Sequence, residues 1–243
     1  MLKTIFCFAY VVVSVLALTP VGVIVVLFSL LGLRKYMLAM MVPIGQGWAW
    51  LLLKIINCKI TVRGRENIPA KGGLCFVSNH GSIFDILIFL RYAGRPIGFV
   101  AKKELLLLPF LNVWIPVLGG LFIDRNNHRS ALKAINRGID RIKAGGGMVV
   151  FPEGHRSRGQ GLLPFHPGSL KLATRSDAVI VPVALTGTWE IFEKNYRVNP
   201  GPVSVTFCKP IETAGLSPAD RKQALADRIY GVIKDALEKT NEN

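Results

Sequence analysis

The sequence has few acidic residues, and none of them lies before Glu66. Positions 4 through 33 carry no charge of either sign. As a helix, that interval would be about 45 Å long, against a bilayer hydrocarbon core of roughly 30 Å. The absence of charge over this length excludes an ordinary solvent-exposed segment and predicts attachment to a membrane.

Cysteine is also scarce. The four cysteines, Cys7, Cys58, Cys75 and Cys208, are far apart and show no paired spacing. This spacing argues against a disulfide framework and against a cysteine metal site, and it suits a reducing compartment. No other cluster of metal-ligand residue types stands out in the sequence, so no metal is expected.

A second uncharged stretch, Tyr36–Leu53, is less clearly helical. It contains a proline and two glycines within Pro43–Gly47, which makes a straight membrane-spanning helix doubtful. Trp48 and Trp50 suit the level of the lipid headgroups. Either the two apolar segments form a hairpin, or the first is inserted and the second lies along the interface. A cleaved signal peptide fits less well, because Ala17-Leu18-Thr19 is a poor cleavage site.

The net charge is strongly positive, +15 at pH 7. Such a charge fits either nucleic acid or an anionic membrane surface, which contributes roughly 1 kcal/mol per nearby basic side chain. The chain shows no helix-turn-helix or aromatic stacking motif, so no nucleic-acid partner is expected. Basic residues beside the apolar segments favour an inner membrane, with the following domain on its cytoplasmic face. They are Arg34, Lys35, Lys54, Lys59, Arg63 and Arg65.

After Lys54, short apolar runs alternate with helical periodicity, which is typical of an α/β domain. We expect residues 1–57 to form membrane-anchoring apolar segments and residues 58–239 to form an α/β domain with a mostly parallel central sheet flanked by helices. Residues 240–243 are expected to be disordered. Helices are predicted from about Ser82 to Leu90, over Arg129–Ala144 and from Ser217 onwards. The predicted strands are Lys59–Val62, Leu74–Ser78, Ile97–Ala101, Gly120–Ile123, Met148–Phe151, Val179–Ala184 and Val203–Phe207.

One of the four histidines, His80, directly follows an apolar strand, the position at which open α/β sheets hold their ligands. Asp85 lies five residues later, too far around a continuous helix to face it. If His80 occupies the strand-to-helix turn, Asp85 in the first helical turn can reach its ring. The carboxylate then holds one ring nitrogen protonated and leaves the other to accept a proton. Taken alone, the pair also fits a polar turn with an acid at a helix N-terminus, and Ser82 fits a helix cap better than a nucleophile.

Polar clusters follow three later strands. Lys102-Lys103-Glu104 comes after the third predicted strand, Asp124-Arg125 after the fourth and Pro152–Arg158 after the fifth. In a mostly parallel sheet, these strand ends share one edge with His80. Arg125, Arg156 and one of Lys102 or Lys103 are then placed to hold a phosphate, because a guanidinium fork matches phosphate oxygens.

Four blocks of the sequence resemble the signature of the glycerolipid acyltransferases, in the order found in that family. The first corresponds to the family's N-H-x-x-x-x-D pattern, and the resemblance extends from about Val62 to Phe207. The length and the two apolar N-terminal segments are most similar to the bacterial 1-acylglycerol-3-phosphate branch. The blocks are Asn79-His80-Gly81-Ser82-Ile83-Phe84-Asp85, Gly120-Leu121-Phe122-Ile123-Asp124-Arg125, Phe151-Pro152-Glu153-Gly154 with Arg156-Ser157, and Val181-Pro182-Val183.

The resemblance implies a transferase of phospholipid biosynthesis. It would move an acyl chain from acyl-CoA or acyl-acyl carrier protein to the sn-2 hydroxyl of lysophosphatidic acid, giving phosphatidic acid. His80 is then the general base and Asp85 orients it, while donors near Gly154 stabilise the oxyanion. No cofactor is expected, since the thioester is already activated, and the expected partners are membrane phospholipid or lysophospholipid and the acyl carrier. The predicted substrate-binding residues are Asn79, Lys102, Arg125, Glu153, Gly154 and Arg156.

Other interpretations stay open at this point. A different acceptor, such as glycerol 3-phosphate or a lyso-aminolipid, fits the same blocks. So does, in another class, a membrane protein that binds phospholipid without catalysis. The third block carries His155 where the family usually has threonine, which leaves the acceptor undetermined. The acyl carrier, the chain length and the oligomeric state are not determined by these motifs either.

Overall fold

In the computed structural model, which describes residues 1–124, 126–217 and 219–241, two long helices precede one α/β domain. The α/β class and the mostly parallel sheet that the sequence predicts are confirmed. The helices are α1 (Leu2–Leu30), α2 (Arg34–Ile56), α3 (Asp85–Tyr92), α4 (Leu111–Val117), α5 (His128–Lys143), α6 (Lys171–Ser176), α7 (Thr188–Ile191) and α8 (Gln223–Asn241). The strands are β1 (Lys59–Arg63), β2 (Leu74–Ser78), β3 (Ile97–Lys102), β4 (Leu121–Ile123), β5 (Gly147–Val150), β6 (Val179–Thr186), β7 (Pro202–Phe207) and β8 (Ile211–Glu212).

Within the described residues, the strands form one sheet in the order β1-β7-β6-β2-β5-β3-β4, and β8 pairs antiparallel with β6. From β6 to β4 every neighbouring pair is parallel. In contrast, β7 runs antiparallel to β6 and pairs parallel with β1. All seven predicted strands are present. The sequence did not predict β8, because two residues are too short to show a strand pattern.

Strand β2 lies at the centre of the sheet and is buried along its whole length, as expected for a parallel strand with both faces covered. Successive side chains of a strand point to opposite faces. Phe76 therefore belongs to the core under α2 and α3, where it packs near Phe89. Val77 belongs to the core under α5, α6 and α8, together with Ile142 and Ile229. The two cores fix the height and direction of the loop that follows β2.

The second apolar segment is one continuous helix, α2, although it contains Pro43. The segment is therefore helical throughout, and whether the helix spans a membrane stays a prediction. A proline removes a single backbone hydrogen bond from a helix, whereas α2 packs on both α1 and α3 and buries residues such as Leu52 and Ile56. Trp48 also links the two helices, because its Nε1 donates to Ser14 Oγ of α1 at 2.7 Å. Trp50 is exposed, as a headgroup position requires.

Helix α1 lies along the side of the α/β domain. Near its start, the Val198 N–H donates to Thr4 Oγ1 at 2.9 Å. Near its end, Val25 packs with Val117 of α4. Residues 4 and 25 of a helix are about 32 Å apart, so the domain accompanies α1 over most of its length. The outward side chains of α1 are largely apolar and exposed, and both α1 and α2 are long and apolar enough to cross a membrane by length and composition.

The C-terminal helix differs from the prediction at both ends. A helix was predicted from Ser217 onwards, but the Ser217 Oγ, which accepts the Asp220 N–H at 3.2 Å, closes a turn and α8 begins only at Gln223. At the other end α8 continues through Asn241, so residues 240 and 241 are helical where disorder was expected. Glu242 and Asn243 lie outside the described residues.

Candidate active site

The loop between β2 and α3 brings His80 and Asp85 together. Because β2 ends at Ser78 and α3 begins at Asp85, His80 lies in the connecting loop and not on the helix. His80 Nδ1 lies 2.8 Å from Asp85 Oδ2, and the same oxygen accepts the N–H groups of Gly81 at 2.9 Å and Ser82 at 3.0 Å. The contact predicted from the spacing is therefore present, and the buried carboxylate is held by three bonds to one oxygen.

The contact with Asp85 determines which nitrogen of His80 carries the proton. A carboxylate only accepts hydrogen bonds, so Nδ1 is the donor and Nε2 of the neutral ring has its lone pair available. Within the described part of the chain, Nε2 has no hydrogen-bond partner. The His80 side chain is 17% exposed, which is enough for Nε2 to reach a group of a bound substrate.

Phe151 supports the ring of His80 from the end of the neighbouring strand. The two ring centroids are 3.9 Å apart and the planes are inclined by 14°. The sequence analysis placed Phe151 at the end of a strand but did not predict this contact. The signal lies in the register of the sheet, which pairs Val77 with Val150 and so puts the ends of β2 and β5 side by side.

Glu153 is buried beneath the His80 loop. It is 1% exposed, its Oε1 accepts the His80 N–H at 2.8 Å, and its Oε2 has no partner among the described residues. Burial raises the pKa of Glu153 to about 7, against the opposing effect of hydrogen bonds from the His80 and Leu163 N–H groups. The expected substrate contact therefore lacks geometric support, because the carboxylate is inside the protein and bonded to the main chain of His80.

The loop after β5 also holds the other backbone group of His80, since the Ser157 N–H donates to the His80 carbonyl at 2.8 Å. Gly154, in the same loop, has a φ of 77°, a conformation that favours glycine. Its N–H donates to the Phe151 carbonyl at 3.1 Å. Gly154 thus shapes the loop, and its predicted part in stabilising an oxyanion stays a prediction.

Asn79 joins two strands. Its Oδ1 accepts the Leu185 N–H at 2.8 Å, and its Nδ2 donates to the Leu185 carbonyl at 2.9 Å. Both ends of the amide are therefore bonded to the backbone of β6. The geometry assigns Asn79 to fixing the end of β2 against β6, and the expected contact with substrate finds no support.

Arg156 does not stand alone in the site. Its guanidinium forms an ion pair with Glu193, which is only 8% exposed and whose Oε2 has no partner in the described chain. The sequence analysis missed Glu193, because it lies 37 positions away and belongs to no recognisable pattern. A phosphate at Arg156 would share the guanidinium with this carboxylate.

The remaining cations lie further along the same edge of the sheet. Neighbouring strands are about 4.8 Å apart, so the end of β3 lies roughly 10 Å from the end of β2. Lys102 is exposed there. Lys103 donates to Asp124 Oδ2 at 2.8 Å, and this bond holds the pKa of Asp124 below its usual value. Arg125, predicted to contact a phosphate, lies outside the described residues.

Ser82 is not placed to act as a nucleophile beside His80. Ser82 is fully buried, and its Oγ accepts the Phe84 N–H at 3.1 Å. This bond lies within the loop, and because Phe84 precedes α3 without a side-chain cap, Ser82 does not cap the helix as predicted. His155 is exposed. Among the residues that the structure describes, no group of three or more His, Cys, Asp or Glu side chains could hold a metal ion. The arrangement can take a proton from a hydroxyl that a substrate brings to the edge of the sheet.

Comparisons with known proteins show the family to which the chain belongs. A protein named 1-acyl-sn-glycerol-3-phosphate acyltransferase from Borreliella burgdorferi is 34% identical over 191 residues, which are 78% of this chain and 74% of that protein. A protein of the same name from Saccharomyces cerevisiae is 32% identical over 187 residues, 75% of this chain and 61% of that protein. The crystal structure of the 1-acyl-sn-glycerophosphate (LPA) acyltransferase PlsC from Thermotoga maritima superposes with a TM-score of 0.79 at 25% identity, covering 100% of this chain and 98% of that one. The family model named Acyltransferase matches residues 59–186, a region that includes His80, Asp85 and the loops that hold them, and the chain therefore belongs to the acyltransferase family.

Proposed function

We propose that this protein transfers an acyl group from acyl-CoA or acyl-acyl carrier protein to the sn-2 hydroxyl of 1-acylglycerol 3-phosphate, giving phosphatidic acid. The observation that carries the proposal is the 2.8 Å contact between His80 Nδ1 and Asp85 Oδ2, on a histidine whose side chain is partly exposed. The choice of acceptor is supported by the names of the relatives from B. burgdorferi, S. cerevisiae and T. maritima.

In this proposal His80 is the general base. Nε2 accepts the proton of the sn-2 hydroxyl while the oxygen attacks the thioester carbonyl, and a tetrahedral oxyanion forms. The intermediate collapses, the carbon–sulfur bond breaks, and the departing thiolate takes the proton from the imidazolium. Asp85 stabilises that imidazolium and keeps the reactive nitrogen turned outward. The thioester is already activated, so the proposal needs no metal or prosthetic group.

The acceptor phosphate is the part of the substrate that the cations of the sheet edge would recognise. Arg156 lies in the loop that also holds His80, and it is the first candidate. Lys102 is exposed about two strands further along the edge, and Arg125 follows β4. Since Arg156 is paired with Glu193, a phosphate would either displace this carboxylate or share the guanidinium with it. Five N–H donors allow an arginine to bond both groups.

The lipid substrate explains the N-terminal helices. The α/β domain accompanies α1 over most of its length, so we propose that α1 and α2 lie within one leaflet and do not carry the chain across the bilayer. The catalytic edge is then at the level of the headgroups, where the acceptor hydroxyl is found. Basic residues beside these helices, together with a donor made in the cytosol, favour the cytoplasmic face of the inner membrane.

The test is acyl transfer by the full-length protein in phospholipid vesicles. Labelled acyl-CoA and acyl-acyl carrier protein are offered separately with lysophosphatidate, glycerol 3-phosphate or lysophosphatidylethanolamine. His80→Ala is compared with His128→Ala, which removes an exposed histidine at the start of α5. We expect label in phosphatidic acid for wild type and His128→Ala, and loss of at least about a thousandfold for His80→Ala.

The possible outcomes separate the competing interpretations. Activity on lysophosphatidate that survives His80→Ala would refute the base mechanism. Transfer to glycerol 3-phosphate or the lyso-aminolipid alone would keep the chemistry and replace the acceptor. Lipid binding without transfer to any acceptor would indicate a phospholipid-binding membrane protein of another class.

A further inference from the structure

The segment that follows β3 and continues into the first turn of α4 exposes an apolar surface that the proposed reaction does not use. Six of its side chains are substantially exposed: Leu106 46%, Leu107 83%, Leu108 46%, Phe110 39%, Leu111 39% and Val113 41%. We refer to residues 106–113 as the leucine loop. An apolar patch on a water-soluble surface is costly, and a contiguous one of this kind marks a contact with a protein or a membrane.

The leucine loop is continuous with the apolar surface of α1. Helix α4, whose first residues belong to the leucine loop, packs on α1: a Cβ on Gly22 would lie 3.5 Å from the Trp114 ring. Val117 packs with Val25 of α1 and Met41 of α2. The loop therefore lies on the same face of the molecule as the two N-terminal helices, beside their exposed side chains.

The loop is also adjacent to the catalytic edge. It follows directly on β3, whose end is two strands from His80 in the order β2-β5-β3. On the other side of His80, beyond β6, the start of α1 is fixed to the domain through Thr4 and Val198. Lys102 and Lys103 stand where the loop begins, and such side chains keep their charge among headgroups while apolar neighbours lie deeper.

We propose that the leucine loop inserts into the acyl region of the leaflet that holds α1. The bilayer then contacts the protein on both sides of His80. The proposal rests on the membrane location proposed above for α1 and α2. Contact at α1 alone would leave the domain free to rock about the helix axis. A second contact across the catalytic edge fixes the height of His80 Nε2 relative to the headgroups, where the acceptor hydroxyl lies.

Depth-dependent quenching of tryptophan tests the insertion directly. Leu107→Trp is compared with Leu132→Trp, a matched control on α5 at a leucine that is 40% exposed on the opposite side of the sheet. Both full-length variants are placed in vesicles whose phospholipids carry bromine on the acyl chains. We expect the added fluorescence of Leu107→Trp to shift to the blue and to be quenched, and that of Leu132→Trp to be unaffected.

The native tryptophans separate failure of this proposal from failure of the membrane location. If native fluorescence, which includes exposed Trp50, is quenched but the added signal at position 107 is not, the loop stays out of the bilayer and only this proposal is overturned. If neither is quenched, the membrane location itself fails. A blue-shifted signal that bromine does not quench, with Leu107-dependent dimers in detergent, would assign the loop to a second copy of the chain and also overturn the proposal.

A second measurement links insertion to turnover. Leu107→Asp removes the free energy that an exposed leucine gains on transfer from water into the bilayer. We therefore expect the rate on lysophosphatidate in vesicles to fall by about tenfold or more. The rate on a dispersed short-chain acceptor should stay within about twofold, because the site itself is unchanged. Leu132→Asp should leave both rates near wild type. Equal losses on both acceptors with Leu107→Asp would contradict a membrane role for the loop.

Discussion

Replacing Glu153 with glutamine separates a role in holding the His80 loop from a role in binding substrate. Glu153 Oε1 accepts the His80 N–H at 2.8 Å, while Oε2 is buried without a partner among the described residues. Burial raises the pKa of Glu153 from 4.5 to about 7. At 1.36 kcal/mol per pKa unit, the ionised carboxylate destabilises the fold by about 3 kcal/mol once the pH exceeds 8. Glutamine keeps the acceptor oxygen and removes the ionisation.

The direction of the pH effect follows from where the proton is bound. Between its unfolded pKa near 4.5 and its folded pKa of about 7, Glu153 holds more proton in the folded state than in the unfolded state. Its contribution to stability is therefore fully present below pH 4.5 and is lost as the pH rises through 7. Between pH 4.5 and pH 8.5, the wild type should lose about 3 kcal/mol of unfolding free energy relative to Glu153→Gln.

The assay is equilibrium unfolding in mild detergent at the two pH values, followed by circular dichroism. Glu190→Gln is the control, since Glu190 is an exposed glutamate on α7 and should track the wild type. If the unfolding free energies of wild type and Glu153→Gln changed equally between the two pH values, the reasoning would be refuted.

In the transfer assay, Glu153→Gln should keep both kcat and KM near wild type, whereas Glu153→Ala should lower kcat about tenfold because the His80 N–H loses its acceptor. A raised KM with unchanged kcat in Glu153→Gln would indicate a substrate contact instead.

Three further changes probe the groups around His80 by steady-state kinetics. Asp85→Asn should lower kcat by roughly a hundred- to ten-thousandfold, because a neutral amide no longer stabilises the imidazolium; a loss below tenfold would remove Asp85 from the mechanism. Phe151→Leu should lower kcat by about tenfold with an unchanged circular dichroism spectrum, because the stacked ring that orients His80 is gone. Glu193→Gln should lower the KM for lysophosphatidate several-fold with little change in kcat, because the phosphate no longer competes with a carboxylate for Arg156. A raised KM in that variant would show that Glu193 orients the guanidinium for the phosphate.

Local patterns in the sequence were sufficient for the strands, for the α/β class and for the position of His80. The apolar runs of the strands are short and bounded by turn residues. Such continuous apolar runs predict strands that are buried on both faces of the sheet. The His80–Asp85 contact was predictable for the same reason. Both residues lie within one loop of seven positions, so the end of one strand and the start of one helix fix their separation.

Helix propensity predicted the structure poorly where tertiary packing opposes it. Pro43 and its neighbouring glycines made a continuous helix doubtful, yet α2 is continuous because α1 and α3 pack along it and bury Leu52 and Ile56. The sequence also showed that residues 4 through 33 are uncharged, but not that this helix contacts the α/β domain near both of its ends. That arrangement depends on contacts such as Thr4 with Val198, which are 194 positions apart.

The sequence by itself determined which residue types meet at the catalytic edge: a histidine with its carboxylate, two glutamates, an asparagine and several cations. Only the tertiary structure decided their partners. Glu153, which bonds the main chain of His80, lies 73 positions from it. Glu193 lies 37 positions from Arg156, and Leu185 lies 106 positions from Asn79. The physical reason is that periodicity reports which side of an element is buried, whereas the order of strands in the sheet sets which residue it is buried against. Strand β2 lies between β5 and β6, and this order gives Asn79 and Glu153 backbone partners in β6 and in the loop that carries His80. Their contact with substrate stays a prediction.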